Sequence, residues 1–447
     1  MSEKENTSLE KIVSLCKRRG FVFQGSEIYG GLAGTYDYGP YGNDLRHNIK
    51  QYFWQKFVLD REDVYGMSTA ILMPRKVWDA SGHTSEVGLN DPLVECKICH
   101  ERVRADQQEV ISDHEKTHKN KKVEWTEPVK FNLLVETKLG SSEKSSTEVN
   151  LRGEITQGVH VNFKNILDSM HPKLPFGIGQ IGKAFRNEIT PRDFLFRQRE
   201  FEQMEIQYYI KPEETEGDRV YDYWKDEAFS WYLSLGFSKE NLRWRQHASD
   251  ELAHYAKDAW DIEYNTSFAG WKEAWGVHHR KDWDLKRHSQ YSGVDLSYYD
   301  EERKERFIPW DIECSGGVDR AVLFVLLEAY TEDVLSDEPR VYLKLKPSLA
   351  PIKVAVFPLL KNKPNLVTKA RGVYQALKKE IPQVMWDDNG NIGKRYRRQD
   401  EIGTPFCVTV DFNTLTDETV TVRYRDNGLQ DRLHINDLAA FLKEKLK

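Results

Sequence analysis

Arg186, Glu188, Arg197, Phe201 and Glu205 occur in the order Phe-Arg-x-Glu, turn, Arg-x-x-x-Phe-x-x-x-Glu. Thr190, Pro191 and Asp193 lie between the two halves and mark the turn. The flanks read as strand, so the segment is expected to form a long antiparallel hairpin. Alternate residues of a strand face the same way, which would gather two arginines, two glutamates and a phenylalanine on one surface. The planar fork of arginine matches phosphate oxygens with paired, charge-assisted hydrogen bonds. An aromatic face beside an arginine suits a purine, and a glutamate there can accept from an exocyclic amino group. The chemistry is that of a nucleotide site without a glycine-rich phosphate loop. Taken singly, each residue reads as an exposed hairpin charge; the ordered set does not.

Two further segments must position this hairpin. Asp311-Ile312-Glu313-Cys314-Ser315-Gly316-Gly317-Val318-Asp319-Arg320 runs into the apolar stretch 321–330. Its glycines let strand and helix backbones approach closely, and Arg320 is placed at the positive N-terminal end of an apolar helix. Upstream, 43–60 is an amphipathic helix with an apolar stripe at Leu45, Ile49, Phe53 and Phe57. It leads through Val64-Tyr65-Gly66 to Pro74.

These three segments resemble motifs 2, 3 and 1 of the class II aminoacyl-tRNA synthetases. The resemblance implies an α+β fold: an antiparallel-sheet catalytic domain over 1–345 carrying an insertion at 90–150, and a C-terminal α/β anticodon-binding domain over 351–447. It narrows to the homodimeric glycyl-tRNA synthetases over nearly the whole chain. The residues carrying it are Tyr29 to Gly34, Asp37 to Pro40, Ser81-Gly82-His83, Leu151 to Gly158, and Ile312 to Ser315.

The resemblance implies that Arg186 and Arg320 are catalytic and that ATP lies along Arg186, Asn187, Glu188, Phe196, Arg197, Gln198, Arg199, Glu200 and Phe201. Glu273, Ala274, Gly317, Val318, Asp319 and Arg320 complete that set. Glu188 and Phe201 would hold adenine, Arg197 the γ-phosphate, and Arg186 would bridge the glycine carboxylate and the α-phosphate. Glu154, Glu205 and Glu313 would line the glycine ammonium, a triple donor that needs carboxylate acceptors. Ser315 would lie beside the α-carbon, with Arg104, Phe201, Glu202, Gln203, Met204, Cys314, Gly316 and Gly317 around it. Packing alone discriminates one methyl by only about 1–3 kcal/mol; clash does better. Mg²⁺ is expected with the ATP phosphates, Glu302 and Glu313 being the candidate carboxylates. For Glu302 the competing reading is an exposed acidic cluster. The sequence departs from the family at Asp319 (Glu is usual), at Ala274 (Leu is usual), and at Gly153, Ile155 and Thr156, where Pro, Thr and Ala are usual. These last changes suggest a more flexible loop.

The 447 residues, 30% of them charged, suffice for two or three domains. The N-terminal residues lack a secretory pattern, and no apolar run approaches bilayer length; a cytoplasmic protein is expected. Five cysteines, unpaired by pattern, suit a reducing compartment. From Pro351 onward, basic residues outnumber acidic ones although the whole chain carries a net charge of −6, which fits RNA binding by that part. There Ile352–Leu359, Leu366–Glu380, a strand around Val384, a turn at 388–390 and Phe406–Asp411 read as βαβ units. The basic segment 393–400 is a candidate RNA contact, against an exposed helix start. The tryptophans between Trp260 and Trp283 read as packing around the substrate side.

In the insertion, Cys96-x-x-Cys99 and His114-x-x-x-His118 match the spacing of a Cys₂His₂ zinc site. The alternative, two paired thiols and two solvent-facing histidines in a mobile loop, is the one favoured for this polar insertion with its Ser/Lys tract at 140–147.

Three functions compete: glycine–tRNA ligation; a synthetase-like RNA-binding or regulatory protein without activation chemistry; and a class II enzyme for threonine, proline or histidine. Retention of Arg186, Arg197 and Arg320 argues against the second. The Glu154, Glu205, Glu313 and Ser315 set argues against the third.

Overall fold

The computed structural model describes residues 9–85, 88–119, 121–142, 145–248, 256–335 and 337–446. The N-terminal residues read for a leader, and 143–144 of the Ser/Lys tract, lie outside them.

A seven-stranded sheet organises the first part of the chain, in the order Leu242–Gln246, Asp258–Thr266, Gly270–Lys281, Trp310–Gly317, Glu200–Ile210, Phe176–Phe185, Val64–Gly66. Every pairing is antiparallel except that of the short edge strand Val64–Gly66 with Phe176–Phe185. The expected hairpin forms, with Phe185 opposite Glu200 and Gln180 opposite Glu205. Its ladder stops at Phe185 and resumes at Glu200, so Arg186 to Arg199 belong to the loop rather than to the strands.

One face of this sheet is apolar. The helix Pro40–Trp54, continued through Gln55–Leu59, presents the stripe Leu45, Ile49, Phe53 and Phe57, each no more than 1% exposed. The helices Glu214–Ser234 and Val318–Ala329 join the same core, where Phe53 packs against Trp231 and Trp275. Trp275 is thus packing, as expected, but it packs in this core and not around the substrate side expected for the tryptophan-rich segment. A side chain at Gly179 would collide with Val58 and Ile206, so glycine permits the helix-to-sheet approach there.

The C-terminal part has its own five-stranded sheet, in the order Val384–Trp386, Val354–Pro358, Phe406–Val410, Thr419–Tyr424, Gln430–His434. The first three strands are parallel and the last two antiparallel. The helices Pro364–Glu380 and Ile435–Lys445 share its main apolar core. The helix Ile392–Glu401 lays Ile392 and Tyr396 against Ala355, Phe357 and Cys407.

The basic segment 393–400 begins at an exposed helix start, with Lys394 open to solvent, while its arginines are held by protein partners. Arg395 is 1% exposed and donates to the carbonyls of Asp388 and Gly390. Arg397 pairs with Glu338 and Arg398 with Asp387. Asp400 is buried between Arg340 and Arg423.

The described residues of the insertion form the three-stranded antiparallel sheet Arg102–Arg104, Asn90–Glu95, Val129–Asn132, the helix Gln108–Thr117, and two strands, Thr147–Leu151 and Val135–Leu139, of a second such sheet completed by Leu72–Pro74 from outside it. The expectation of two paired thiols apart from two solvent-facing histidines is corrected here. Cys96 and His114 are buried, and the donor atoms of Cys96, Cys99, His114 and His118 all lie within 4.8 Å of one another.

Glu302 is exposed on the turn joining the small strands Tyr298–Asp300 and Glu305–Phe307, where its N–H donates to Asp300. The acidic-cluster reading holds for this residue.

Candidate active site

The face of the large sheet opposite the aromatic core is polar, because alternation along Glu200–Ile210 and Trp310–Gly317 sends Phe201, Gln203, Glu205, Glu313 and Ser315 to that side. These two strands are paired directly, Glu205 lying opposite Ser315 and Gln207 opposite Glu313. The cleft above them is lined by Arg186, Glu188, Arg197, Phe201, Ser315 and Arg320, among others.

Three arginines face this cleft. Arg186 lies 5.4 Å from the Phe201 ring centroid, and its Nε donates to the Gly153 carbonyl at 3.0 Å. Arg320, in the first turn of its helix, lies 4.5 Å over Phe196 and 3.2 Å from Glu273. Arg197 stands 3.7 Å from Glu188, and its Nη1 and Glu188 Oε2 are buried without a hydrogen-bond partner. Burial pulls the Arg197 guanidinium below its usual range despite Glu188. A guanidinium donor buried without a partner is costly, and an anionic ligand would satisfy it.

Beneath the arginines lies a second, acidic layer. Glu205 is fully buried, Glu313 is 5% exposed, and Glu154 is largely covered. The Thr156 hydroxyl lies between the two carboxyls, 2.9 Å from Glu205 and 3.2 Å from Glu313, and can donate its one proton to either. The departure at Thr156 thus supplies a donor to the acidic pair. Gly153, the other departure, packs closely: an added side chain would meet Leu134 and Leu89 at 2.9 and 3.0 Å.

The three carboxyls are driven to different states. Burial pushes Glu205 up, and the charges of Glu313 and Glu154 push it further, to about 8. Burial also opposes the ionisation of Glu154, but the His83 imidazole 3.2 Å away and Arg280 hold it down at about 2. Glu313 is likewise buried, yet Arg280 and His278 hold it well below the ordinary carboxylate range. A buried pocket holding two ionised carboxylates and one acid that a cation would ionise is suited to an ammonium ion.

The residues enforcing this were not picked out as site residues from sequence. Arg280 donates to Asp284 through Nε and Nη2 at 2.8 and 3.0 Å and to Glu313 through Nη1 at 3.1 Å. His278 contacts Glu313 through Nδ1 at 2.9 Å and is raised to about 9, burial being outweighed by Asp261 and Glu313. Gln157 donates to Glu154 and Asp284. The alternating order His278-x-Arg280 along a strand was the available signal.

Several expected contacts are not made by side chains. Met204, Cys314, Val318 and Ala274 point into the aromatic core, each no more than 1% exposed. Glu202 is turned to the other side, held by Arg46 at 2.8 Å and Lys50 at 3.0 Å. Glu200 pairs with Lys183 on the surface. Asp319 accepts from the Tyr38 hydroxyl and from the Glu202 N–H, both at 2.6 Å, so its carboxylate braces the helix start. Strand alternation explains Glu200, Glu202, Met204 and Cys314: a contiguous run along a strand alternates between faces. Gln198 donates to the Leu195 carbonyl and Arg199 to those of Glu188 and Ala33, so both brace the loop. Asn187 joins the insertion through its N–H to Leu133. Arg104 is at the cleft margin, salt-bridged to Asp91 and Asp106 at 2.6 Å each.

Gly316 and Gly317 close the floor: any side chain at Gly316 would collide with the Trp275 ring. Both oxygens of Glu313 are taken up by His278, Ser315, Arg280, Gln207 and Thr156. Glu302, on its exposed turn, lies outside the residues that line the cleft and does not fit as a ligand for a magnesium ion there.

Residues 353–445 match the anticodon binding domain family. Over its full length the chain superposes on a prolyl-tRNA synthetase from Cryptosporidium parvum, complexed with L-proline and AMP, with a TM-score of 0.68, at 15% identity and covering 76% of that chain. This places the fold among the class II synthetases. The chain is 47% identical to a glycine–tRNA ligase of Alkaliphilus oremlandii, with 98% of this chain and 99% of that one covered. It is 48% identical to one of Clostridium acetobutylicum, with 99% and 100% covered. With a class II sheet, an acidic pocket beneath a cluster of arginines, and this degree of identity from end to end, the chain belongs to the glycine–tRNA ligase family.

Proposed function

We propose that the cleft joins glycine to ATP and passes the glycyl group to the 3′ end of tRNA-Gly. The observation that carries this reading is that Glu205 and Glu313 lie on the same faces of the same two strands as Phe201 and Ser315, which line the cleft with Arg186, Arg197 and Arg320. The acidic layer takes the ammonium and the basic layer the phosphates.

The glycine carboxylate oxygen attacks the α-phosphorus; the new O–P bond forms as the bond to the pyrophosphate leaving group breaks. Arg186, bound to the carbonyl of Gly153 next to Glu154 and lying beside the Phe201 ring, is read to sit where the carboxylate and α-phosphate meet and to offset the charge that builds there. Arg197 and Arg320 hold the outer phosphates, and the Phe201 ring offers a face to adenine. No protein nucleophile is needed; positioning and charge neutralisation supply the catalysis. ATP enters as its magnesium complex, a co-substrate whose metal is held by the phosphates. A hydroxyl of the terminal tRNA ribose then attacks the adenylate carbonyl, the glycyl ester forms, AMP leaves and the hydroxyl proton is lost. The Ser315 hydroxyl, held by Glu313, is read to lie beside the glycine α-carbon, where it limits the room for a larger α-substituent.

The proposal extends to assembly and location. The chain is read as a cytoplasmic homodimer whose C-terminal part grips the anticodon arm. Leu59, Ile71 and Leu72 are 62%, 36% and 41% exposed on the segment following the first long helix, and support that contact. The stripe of that helix itself faces its own core. Among the described residues no helix is long and apolar enough to cross a membrane.

The test is charging of unfractionated tRNA with a panel of labelled amino acids. Acid-precipitable label from glycine alone is expected. Label from another amino acid, or from none, would overturn the proposal.

A further inference from the structure

The four-residue cluster in the insertion is built as a metal site. Cys96 ends the strand that begins at Asn90, and the chain turns back on itself into Arg102–Arg104. That turn is tight: the His100 N–H donates to the Cys96 carbonyl at 2.8 Å, and His100 adopts the left-handed region at φ 61°. His114 lies in the last turn of the helix Gln108–Thr117 and His118 caps it. Residues four apart on a helix share one face, which brings both imidazoles to the thiols.

The distances are those between ligands, not merely between neighbours. Cys96 Sγ is 3.6 Å from His118 Nε2, Cys99 Sγ is 3.5 Å from His114 Nε2, and the two Nε2 atoms are 3.1 Å apart. A tetrahedral zinc ion with Zn–S of about 2.3 Å and Zn–N of about 2.0–2.1 Å implies S···N edges of about 3.6 Å and an N···N edge of about 3.3 Å. His114 turns its other nitrogen, Nδ1, to the Glu101 carboxylate at 3.2 Å. That contact places the ring proton on Nδ1 and leaves the Nε2 lone pair facing the cluster, the arrangement of histidines that ligate metals. Trp125 covers His114 at 5.1 Å between ring centroids and donates to Glu115.

We propose that Cys96, Cys99, His114 and His118 bind one zinc ion as a structural site. Two thiolates and two imidazoles in a tetrahedral set select zinc over the oxygen-seeking divalent ions. Four protein ligands leave no open position, so the ion stabilises and does not catalyse. It ties the helix Gln108–Thr117 to the turn that leads into Arg102–Arg104. That strand carries Arg104, and Gln107 next to the helix accepts from Arg192 in the hairpin loop at 2.9 Å. The ion therefore anchors the part of the insertion that abuts the nucleotide hairpin.

The test is elemental analysis of tag-free, full-length protein purified without added metal and desalted. About one zinc per chain is expected, falling below a tenth in Cys99→Ser. Cobalt exchanged into the wild-type protein should show the visible absorption of tetrahedral thiolate coordination. Wild-type protein that holds less than a tenth of an equivalent, even after incubation with zinc chloride and desalting, would overturn the site, and that result requires no variant to fold. Chelation should speed amide exchange across 90–132 and leave 200–210 unchanged. Unaltered exchange in 90–132 after complete zinc removal would overturn the structural role.

Discussion

Glu205 is the residue on which the pH behaviour of the site turns. Burial and the neighbouring Glu313 and Glu154 raise it to about 8, so in the free enzyme it is protonated at neutral pH. An arriving ammonium ion favours the carboxylate, and binding releases that proton. The sign follows: kcat/KM for glycine should rise with pH up to about 8, by about tenfold per unit on the acid side. Glu205→Gln should lower kcat/KM and flatten the profile; a flat wild-type profile between pH 6 and 8 would contradict the assignment. Arg186→Ala should cost on the order of 10²–10³ in the rate of ATP–pyrophosphate exchange, with the circular dichroism spectrum unchanged. The order of arginines and glutamates in the hairpin was legible in the chain because it is local. His278 and Arg280 were not, because His278-His279-Arg280-Lys281 reads as a solvated charge run until strand pairing brings Glu313 beside it.

Elements were legible where one periodicity dominated. The stripe Leu45, Ile49, Phe53, Phe57 repeats every four residues and is buried in full. Phe53 contacts Phe57, Trp231 and Trp275 with centroids 5.2, 6.1 and 5.9 Å apart. Phe53→Ala should destabilise the protein by about 3–5 kcal/mol, read as a lower urea midpoint. Because Trp275 backs Gly316 on the cleft floor, the same change should also lower activity measured well below that midpoint. The helix Ile392–Glu401 shows the converse. Its arginines looked like an RNA surface because their partners, Asp387, Glu338 and the carbonyls around 388–390, lie in other elements. Hairpin boundaries were overextended for a similar reason: Arg186 and Arg197 continue the strand pattern, but a loop stapled by Arg199 to the Ala33 carbonyl takes over.

At the scale of the molecule, the C-terminal sheet is joined to the preceding ribbon Tyr330–Leu335, Glu338–Leu343 by a buried charge cluster. Asp400 receives Arg423 at 2.8 Å and Arg340 at 3.4 Å, and Arg340 also pairs with Asp333 at 2.6 Å. Removing the shared anion leaves the buried Arg423 uncompensated and Arg340 with Asp333 alone, so Asp400→Ala should cost about 3–5 kcal/mol, measured by equilibrium unfolding. This cluster could not be seen in sequence, since Asp400 lies 60 residues from Arg340 and 23 from Arg423. The fold class could, because strand-turn-helix signatures of the sheet survive in short segments. The central claim, that the two charged layers form one site for glycine and ATP, is tested most directly by amino-acid-dependent ATP–pyrophosphate exchange without tRNA. Exchange driven by glycine and by no other amino acid is the predicted result. Exchange driven by alanine or a larger amino acid, or none from folded protein that binds ATP, would contradict it.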